Sequence, residues 1–291
     1  VHFTAPHSPW DEKSHPEKYL DMYRDCSFEA TPDLPIHPNQ VKTCPYGTGE
    51  RRKELLRGYY AAITAMDYQV GLMLELLDEL GIREDTLIMF TSDNGMNLGH
   101  HGIWGKGNGT YPQNMYDTSV KVPFLASWKG HIPENQVCEA MGSHYDIFPT
   151  LQELLQLSGD VRQELPGRSF LNWLEHPNGT DERSIVIVDE YGPVRMVRNH
   201  DWKLVQRYPE GRNELYHISE DTEEECNLYG NPRYESLALD MRKQLEHIFA
   251  EYGDSELDGT KEAIYGTGQF GPVGKFAVST QRFEGKADKA D

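Results

Sequence analysis

Apolar residues recur at three- and four-residue steps from Ile63 through Met66, Val70, Met73 and Leu74 to Leu77, which predicts one long helix over residues 52–80 with a single apolar stripe. Gly81 stands where such a helix would be capped. Residues 86–91 then form a short continuous apolar run rich in β-formers, the pattern of a buried parallel strand, and helix followed by buried strand means α/β layering. A polar, glycine-rich stretch, residues 92–119, separates that strand from a second one at 122–127. Long loops after the C-terminal ends of parallel strands are where open α/β sheets place their ligands. Ile147, Phe148, Leu151, Leu154 and Leu155 mark another amphipathic helix over 146–157, with Gly159 as its stop.

The character changes near residue 180. Short runs at 184–189, 194–198, 203–207 and 214–217 are spaced as an antiparallel meander. Leu237, Met241, Leu245, Ile248 and Phe249 then lie on one face of a helix over 234–252. Residues 1–4 read as the end of a buried strand. Residues 11–50, with prolines at 16, 32, 35, 38 and 45, read as a long surface excursion, and the tail beyond Gly253 has little periodicity. The expected division is an α/β portion over 1–180 and a small antiparallel subdomain with helix and tail over 181–291.

Charge narrows the partners. The 47 acidic against 28 basic residues give a net charge of -19, which repels a phosphate backbone and argues against nucleic-acid binding. No stretch approaches the roughly 20 apolar residues of a membrane helix. Cys26, Cys44, Cys138 and Cys226 form no CxxC pair, so neither a zinc cage nor a dense disulfide framework is expected.

The chemistry concentrates after the first predicted strand. In Ser92-Asp93-Asn94-Gly95 a carboxylate beside a carboxamide offers two hard oxygen donors of the kind Ca²⁺ or Mg²⁺ takes, although Asp-Asn-Gly is also an ordinary turn. The stretch from Leu98 to Gly107 sets His100, His101 and Lys106 among four glycines. Lys106 is either a solvated surface lysine or a point charge for an anionic oxygen, and no role separates His100 from His101. His7, in a proline-rich turn, is either structural or an imidazole able to protonate a leaving group.

Ala5-Pro6-His7-Ser8-Pro9, Tyr59-Tyr60-Ala61-Ala62-Ile63 with Met66-Asp67 and Val70-Gly71, Thr91-Ser92-Asp93-Asn94-Gly95, Gly105-Lys106-Gly107 and Val122-Pro123 resemble, in order and spacing, the type I sulfatase family. His144-Tyr145-Asp146-Ile147-Phe148-Pro149-Thr150-Leu151, Pro166-Gly167-Arg168-Ser169, Trp202-Lys203-Leu204 and Glu214-Leu215-Tyr216 are similar to its C-terminal half. The resemblance implies an alkaline-phosphatase-like α/β sandwich with a mixed, largely parallel sheet, here incomplete, plus a small C-terminal antiparallel sheet packed with a helix. It implies hydrolysis of a sulfate ester, with carbohydrate among the substrates, and work outside the cytoplasm in a periplasmic, secreted or lysosomal setting. Asp93 and Asn94 would be metal ligands for Ca²⁺, with Mg²⁺ the alternative, and Lys106 and His7 would contact the sulfate and the leaving oxygen.

The family's formylglycine arises in a Cys-x-Pro-Ser-Arg type motif. Cys44-Pro45-Tyr46-Gly47-Thr48 and Cys138-Glu139-Ala140-Met141-Gly142 do not match it. The expectation is therefore a fragment, inactive alone, whose N-terminal part would supply formylglycine and further metal ligands; with half its ligands the site would bind metal weakly. Two alternatives stand beside it: a phosphodiesterase or phosphonate hydrolase of the same superfamily, and a non-catalytic pseudoenzyme that binds sulfated glycans. Two-metal members commonly carry Asp-His where this chain has Asp93-Asn94, which favours a single hard cation and sulfate.

Overall fold

The computed structural model describes residues 1–260 apart from 43, 158–164, 178–182, 189–193, 209, 210, 257 and 259. The Gly159 stop, the Asp189 end of the first meander strand and most of the glycine-rich tail lie outside the described residues. The chain divides into two compact units, Val1–Lys129 and a second that begins at Gly130.

In the first unit, α1 (Glu17–Leu20) precedes α2 (Gly49–Glu79), a 31-residue helix that forms the spine. Gly81, at φ +69°, ends α2 as expected: Gly81 N donates to Asp78 O and Ile82 N to Leu77 O, which satisfies two terminal carbonyls. The buried face of α2 lies nearer its start than the sequence stripe suggested. Leu55, Leu56, Ala61 and Ala62 are buried, whereas Ile63, Met66, Val70, Met73, Leu74 and Leu77 are half-buried and Tyr68, Leu72 and Leu76 are exposed. Leu55 and Leu56 join Trp10, Phe28, Leu98 and Trp104 in one core. Trp10 meets Tyr59 edge to face at 5.6 Å. It also lies against Gly58, where a Cβ would sit 2.0 Å from the Trp10 carbonyl oxygen.

Two expectations fail here. Residues 11–50 are not a surface excursion: Leu20, Phe28, Thr31, Gln40 and Val41 are buried. The buried Arg52 guanidinium holds this segment by donating to Phe28 O at 2.8 Å, Pro32 O at 3.2 Å and Thr31 Oγ1 at 2.9 Å. Such anchors are isolated residues between prolines, so no period reveals them. Residues 1–4 are not in a strand either; the chain turns there, with His7 N donating to Thr4 O.

Strand β1 (Ile88–Thr91) feeds a hairpin of β2 (Asn97–Leu98) and β3 (Trp104–Gly105), followed by α3 (Asp117–Val120) and β4 (Phe124–Ser127). β1 pairs antiparallel with β4, Ile88 opposite Ser127 and Thr91 opposite Phe124, and β1 is half-buried. This corrects the parallel, buried strand. A continuous apolar run reports burial of two faces and says nothing of pairing direction. All strand pairs among the described residues are antiparallel.

In the second unit, Asp146 heads α4 (Ile147–Leu154), which is followed by α5 (Leu171–Glu175). Asp146 is buried and accepts from Ser143 N at 2.9 Å, Arg168 N at 2.7 Å and Arg183 Nη1 at 3.0 Å. The Arg183 guanidinium lies over the Trp173 ring. This carboxylate thus ties Ser143, Arg168 and Arg183 together, and Met141 Sδ, two residues before Ser143, accepts from Arg198 of the sheet. The contact boundary accordingly falls at 129/130, earlier than the change of character at 180.

The meander is as expected: β5 (Ile185–Val188), β6 (Val194–Arg198), β7 (Trp202–Arg207) and β8 (Glu214–His217) form one antiparallel sheet in that order. Helix α6 (Glu235–Tyr252) packs Met241 and Leu245 on Val197, Leu204 and Leu215. Lys203 and Glu224 are both buried and paired at 2.5 Å. Removing either partner would leave the other as an uncompensated buried charge, at a cost of about 3–5 kcal/mol.

Candidate functional site

β1 delivers Ser92-Asp93-Asn94-Gly95 at its C-terminal end. Asp93 Oδ1 accepts from Asn94 N at 3.0 Å, and the side chain is 81 % exposed. Asn94 Nδ2 donates to Gly95 O at 2.8 Å, which leaves the amide oxygen as an acceptor. Gly95 N donates to Ser119 O at 3.0 Å, and a Cβ on Gly95 would sit 2.3 Å from Thr118 O. Glycine is required there by the closeness of two backbones.

Lys106 follows β3. In the β2–β3 hairpin Asn97 is opposite Gly105 and Leu98 opposite Trp104. The hairpin is seated backbone to backbone on the proline-rich segment: Gly102, at φ +72°, brings its Cα so close to Pro35 that a Cβ would lie 2.1 Å from the Pro35 oxygen, and His37 N donates to Gly102 O. Gln40, 1 % exposed, exchanges two 2.8 Å hydrogen bonds with the backbone of Trp104. The Lys106 Nζ lies 3.9 Å from Asp93 Oδ2. His101, at φ +55°, stacks on Tyr116 at 3.8 Å, and His100 Nδ1 accepts from Leu98 N. Both histidines thus belong to the loop that carries Lys106.

His7 is exposed. Its Nδ1 is 2.9 Å from Ser8 O, and since a carbonyl only accepts, Nδ1 carries a hydrogen and Nε2 is left outward. Trp10 Nε1 donates to Pro6 O and fixes this turn to the core. His7, Ser8, His15, Met66 and Gln69 are among the residues around a cavity of about 380 Å³. The structure therefore brings Asp93 and Lys106 together, with Asn94 adjacent in sequence to Asp93, and gives His7 no hydrogen bond or ion pair to any of them.

Asp93 and Asn94 fit a hard divalent cation by donor type, one carboxylate and one free amide oxygen. Among the described residues no group of three or more His, Cys, Asp or Glu side chains is arranged to hold a metal. Burial pushes the Cys44 thiol up to about 12, so its reactive thiolate is scarce at neutral pH. Sequence reasoning missed Gln40, Asn97, Asn114 and Ser119, whose side chains organise the loop. The only signal was an excess of amides and hydroxyls in a glycine-rich stretch.

The fold is of the alkaline-phosphatase-like class, here incomplete and with small antiparallel sheets among the described residues; a sulfatase from Bacteroides fragilis superposes with a TM-score of 0.71 at 22 % identity, over 88 % of this chain and 54 % of that one. A profile of the family described as Sulfatase matches residues 1–157, and one described as N-sulphoglucosamine sulphohydrolase, C-terminal, matches residues 99–251. The chain belongs to the sulfatase family. It is 28 % identical over 263 residues to the ulvan-active sulfatase of Formosa agariphila, covering 87 % of this chain and 48 % of that protein. The phosphonate monoester hydrolase of Agrobacterium radiobacter is also similar, with a TM-score of 0.58 at 26 % identity over 78 % of this chain and 46 % of that one. The chain spans about half the length of the curated relatives it matches. No helix among the described residues is long and apolar enough to cross a membrane.

Proposed function

We propose that this chain forms one wall of a sulfate-ester hydrolase site and acts outside the cytoplasm on a sulfated carbohydrate. The approach of Lys106 Nζ to within 3.9 Å of Asp93 Oδ2, at the end of β1, carries the reading. It sets a cation beside the Asp93 carboxylate, whose neighbour Asn94 supplies a second oxygen donor, as holding an anionic sulfuryl group against a divalent cation requires. The carbohydrate part rests on the match of residues 99–251 to the N-sulphoglucosamine sulphohydrolase profile.

In this reading Asp93 and Asn94 hold Ca²⁺, with Mg²⁺ the alternative, and the cation when bound neutralises charge on the sulfuryl oxygens. Lys106 does the same from the protein side. With its Nδ1 hydrogen given to Ser8 O, His7 can donate to or protonate the leaving oxygen through Nε2 only as the imidazolium, in which both ring nitrogens carry hydrogen. Formylglycine and the remaining metal ligands come from a segment outside this sequence, because neither Cys44 nor Cys138 stands in a matching motif. Phosphonate monoester hydrolysis is the second reading, favoured by the Agrobacterium neighbour. Asn94, an amide oxygen donor where an imidazole would suit softer metals, weighs for sulfate.

The test is turnover of nitrophenyl sulfate and phenyl phosphonate esters. The 291-residue chain alone is expected to be inactive, and a polypeptide that adds a Cys-x-Pro-Ser-Arg segment is expected to hydrolyse the sulfate in a metal-dependent way. Metal-dependent turnover by the chain alone would overturn the division of labour, and preference for the phosphonate would replace the substrate class.

A further inference from the structure

Beneath Lys106 lies a run of three buried polar side chains that the reaction itself does not use. Asn97 is 0 % exposed, Ser119 3 % and Asn114 5 %. Asn97 Nδ2 donates to Ser119 Oγ at 2.6 Å, and Ser119 Oγ donates onward to Asn114 Oδ1 at 2.6 Å. Each end grips the backbone around Lys106. Asn97 Nδ2 reaches Gly105 O at 3.0 Å, while Asn114 Nδ2 reaches Lys106 O at 3.3 Å and Gly107 O at 3.2 Å. Three consecutive carbonyls are thus held by two side-chain amides. The polarity is unique, because turning the Asn114 amide over would set its oxygen against two carbonyls. Ser119 does a second thing: its own carbonyl accepts from Gly95 N at 3.0 Å, so the turn carrying Asp93 and Asn94 rests on the same residue.

We propose that Asn97, Ser119 and Asn114 are positioning residues that fix Lys106 relative to the Asp93–Asn94 turn, and that Ser119 is the shared anchor of the two. Among the described residues the Lys106 side chain has only the long 3.9 Å ion pair to define its place, so the backbone clamp sets where its charge stands. This inference rests on the functional reading of Lys106 given above. The three residues come together only in the fold, at positions 97, 114 and 119, from a strand, a loop and a short helix.

The experiment uses the full-length protein with Asn114→Ala, Asn114→Asp, Ser119→Ala and Ser119→Thr, alone and with Lys106→Ala, and reads kinetics and amide hydrogen exchange. On nitrophenyl sulfate, Asn114→Ala and Ser119→Ala are expected to lower kcat about 10- to 100-fold with KM changed far less, the scale of a catalytic group displaced by about 1 Å. Ser119→Thr, which keeps the hydroxyl, restores most of the loss. In the Lys106→Ala background the same substitutions cost less than about threefold, because their effect passes through Lys106. Exchange at residues 105–109 quickens by roughly tenfold or more while that of α6 is unchanged, with Asn114→Asp as the shape-preserving variant if alanine fails to fold. Equal kinetic losses with and without Lys106, or unchanged exchange at 105–109, would overturn the proposal. A harmless Lys106→Ala would instead remove the functional reading of the lysine, and the exchange measurement would still decide the clamp.

Discussion

A carbonyl beside His7 decides which of its nitrogens is available. With Nδ1 donating to Ser8 O, only Nε2 can meet a substrate oxygen. If that is its task, His7→Ala in the full-length protein should depend on the leaving group. Sugar sulfates, whose alcohols leave poorly, are expected to lose roughly 100-fold or more in kcat, and nitrophenyl sulfate far less. Parallel measurements on the two substrates decide it, and equal losses would mean that His7 holds the sulfate without assisting departure. The residues that touch substrate in this reading, His7, Asp93, Asn94 and Lys106, could be singled out in the sequence through the resemblance to the sulfatase family, since their types alone left each an ordinary alternative. The residues that hold them could not. Asn97, Asn114 and Ser119 look like any amides and hydroxyls until burial strips them of water and leaves them one another and the backbone around Lys106 to bond.

Two glycines in α2 make the same substitution mean opposite things. At Gly58 a new methyl would stand 2.0 Å from the Trp10 carbonyl oxygen, whereas at Gly71 nothing lies within 4 Å of it. Gly58→Ala should therefore destabilise by about 1–3 kcal/mol through overpacking, despite the better helix propensity of alanine. Gly71→Ala should stabilise by about 0.5–1 kcal/mol, the propensity difference alone. Urea midpoints of the two variants check both signs, and a stabilised Gly58→Ala would show that the Trp10 turn yields easily. Elements whose residues repeat with a clear period were legible: α6, the meander and the Gly81 cap are where the pattern puts them. β1 was legible as a strand and not as an antiparallel one, since its partner β4 lies 33 positions away, across a loop with no period.

Across the first unit the apolar surface is unevenly covered. Tyr68, Leu72 and Leu76 on α2 are 53 %, 42 % and 51 % exposed, and Phe124 and Leu125 on β4 are 41 % and 62 % exposed. Exposed apolar surface of this extent promotes association. The 291-residue chain is expected to bind a hydrophobic dye and to self-associate as its concentration rises, and Leu72→Lys with Leu76→Glu should reduce both. Light scattering and dye fluorescence measure this, and a monomeric, dye-silent chain would show the surface to be harmless. Gln40 works at the same scale and by another principle. A strand that pairs along its length can slip by two residues and recover its hydrogen bonds, but one carboxamide that exchanges both with the N–H and C=O of a single residue has no second register to fall into. Sixty-four positions separate Gln40 from Trp104, and all of α2 lies between them. Together with the backbone bonds from His37 N to Gly102 O and from Val41 N to Gly109 O, that side chain therefore closes the intervening length into a ring and helps to fix its alignment.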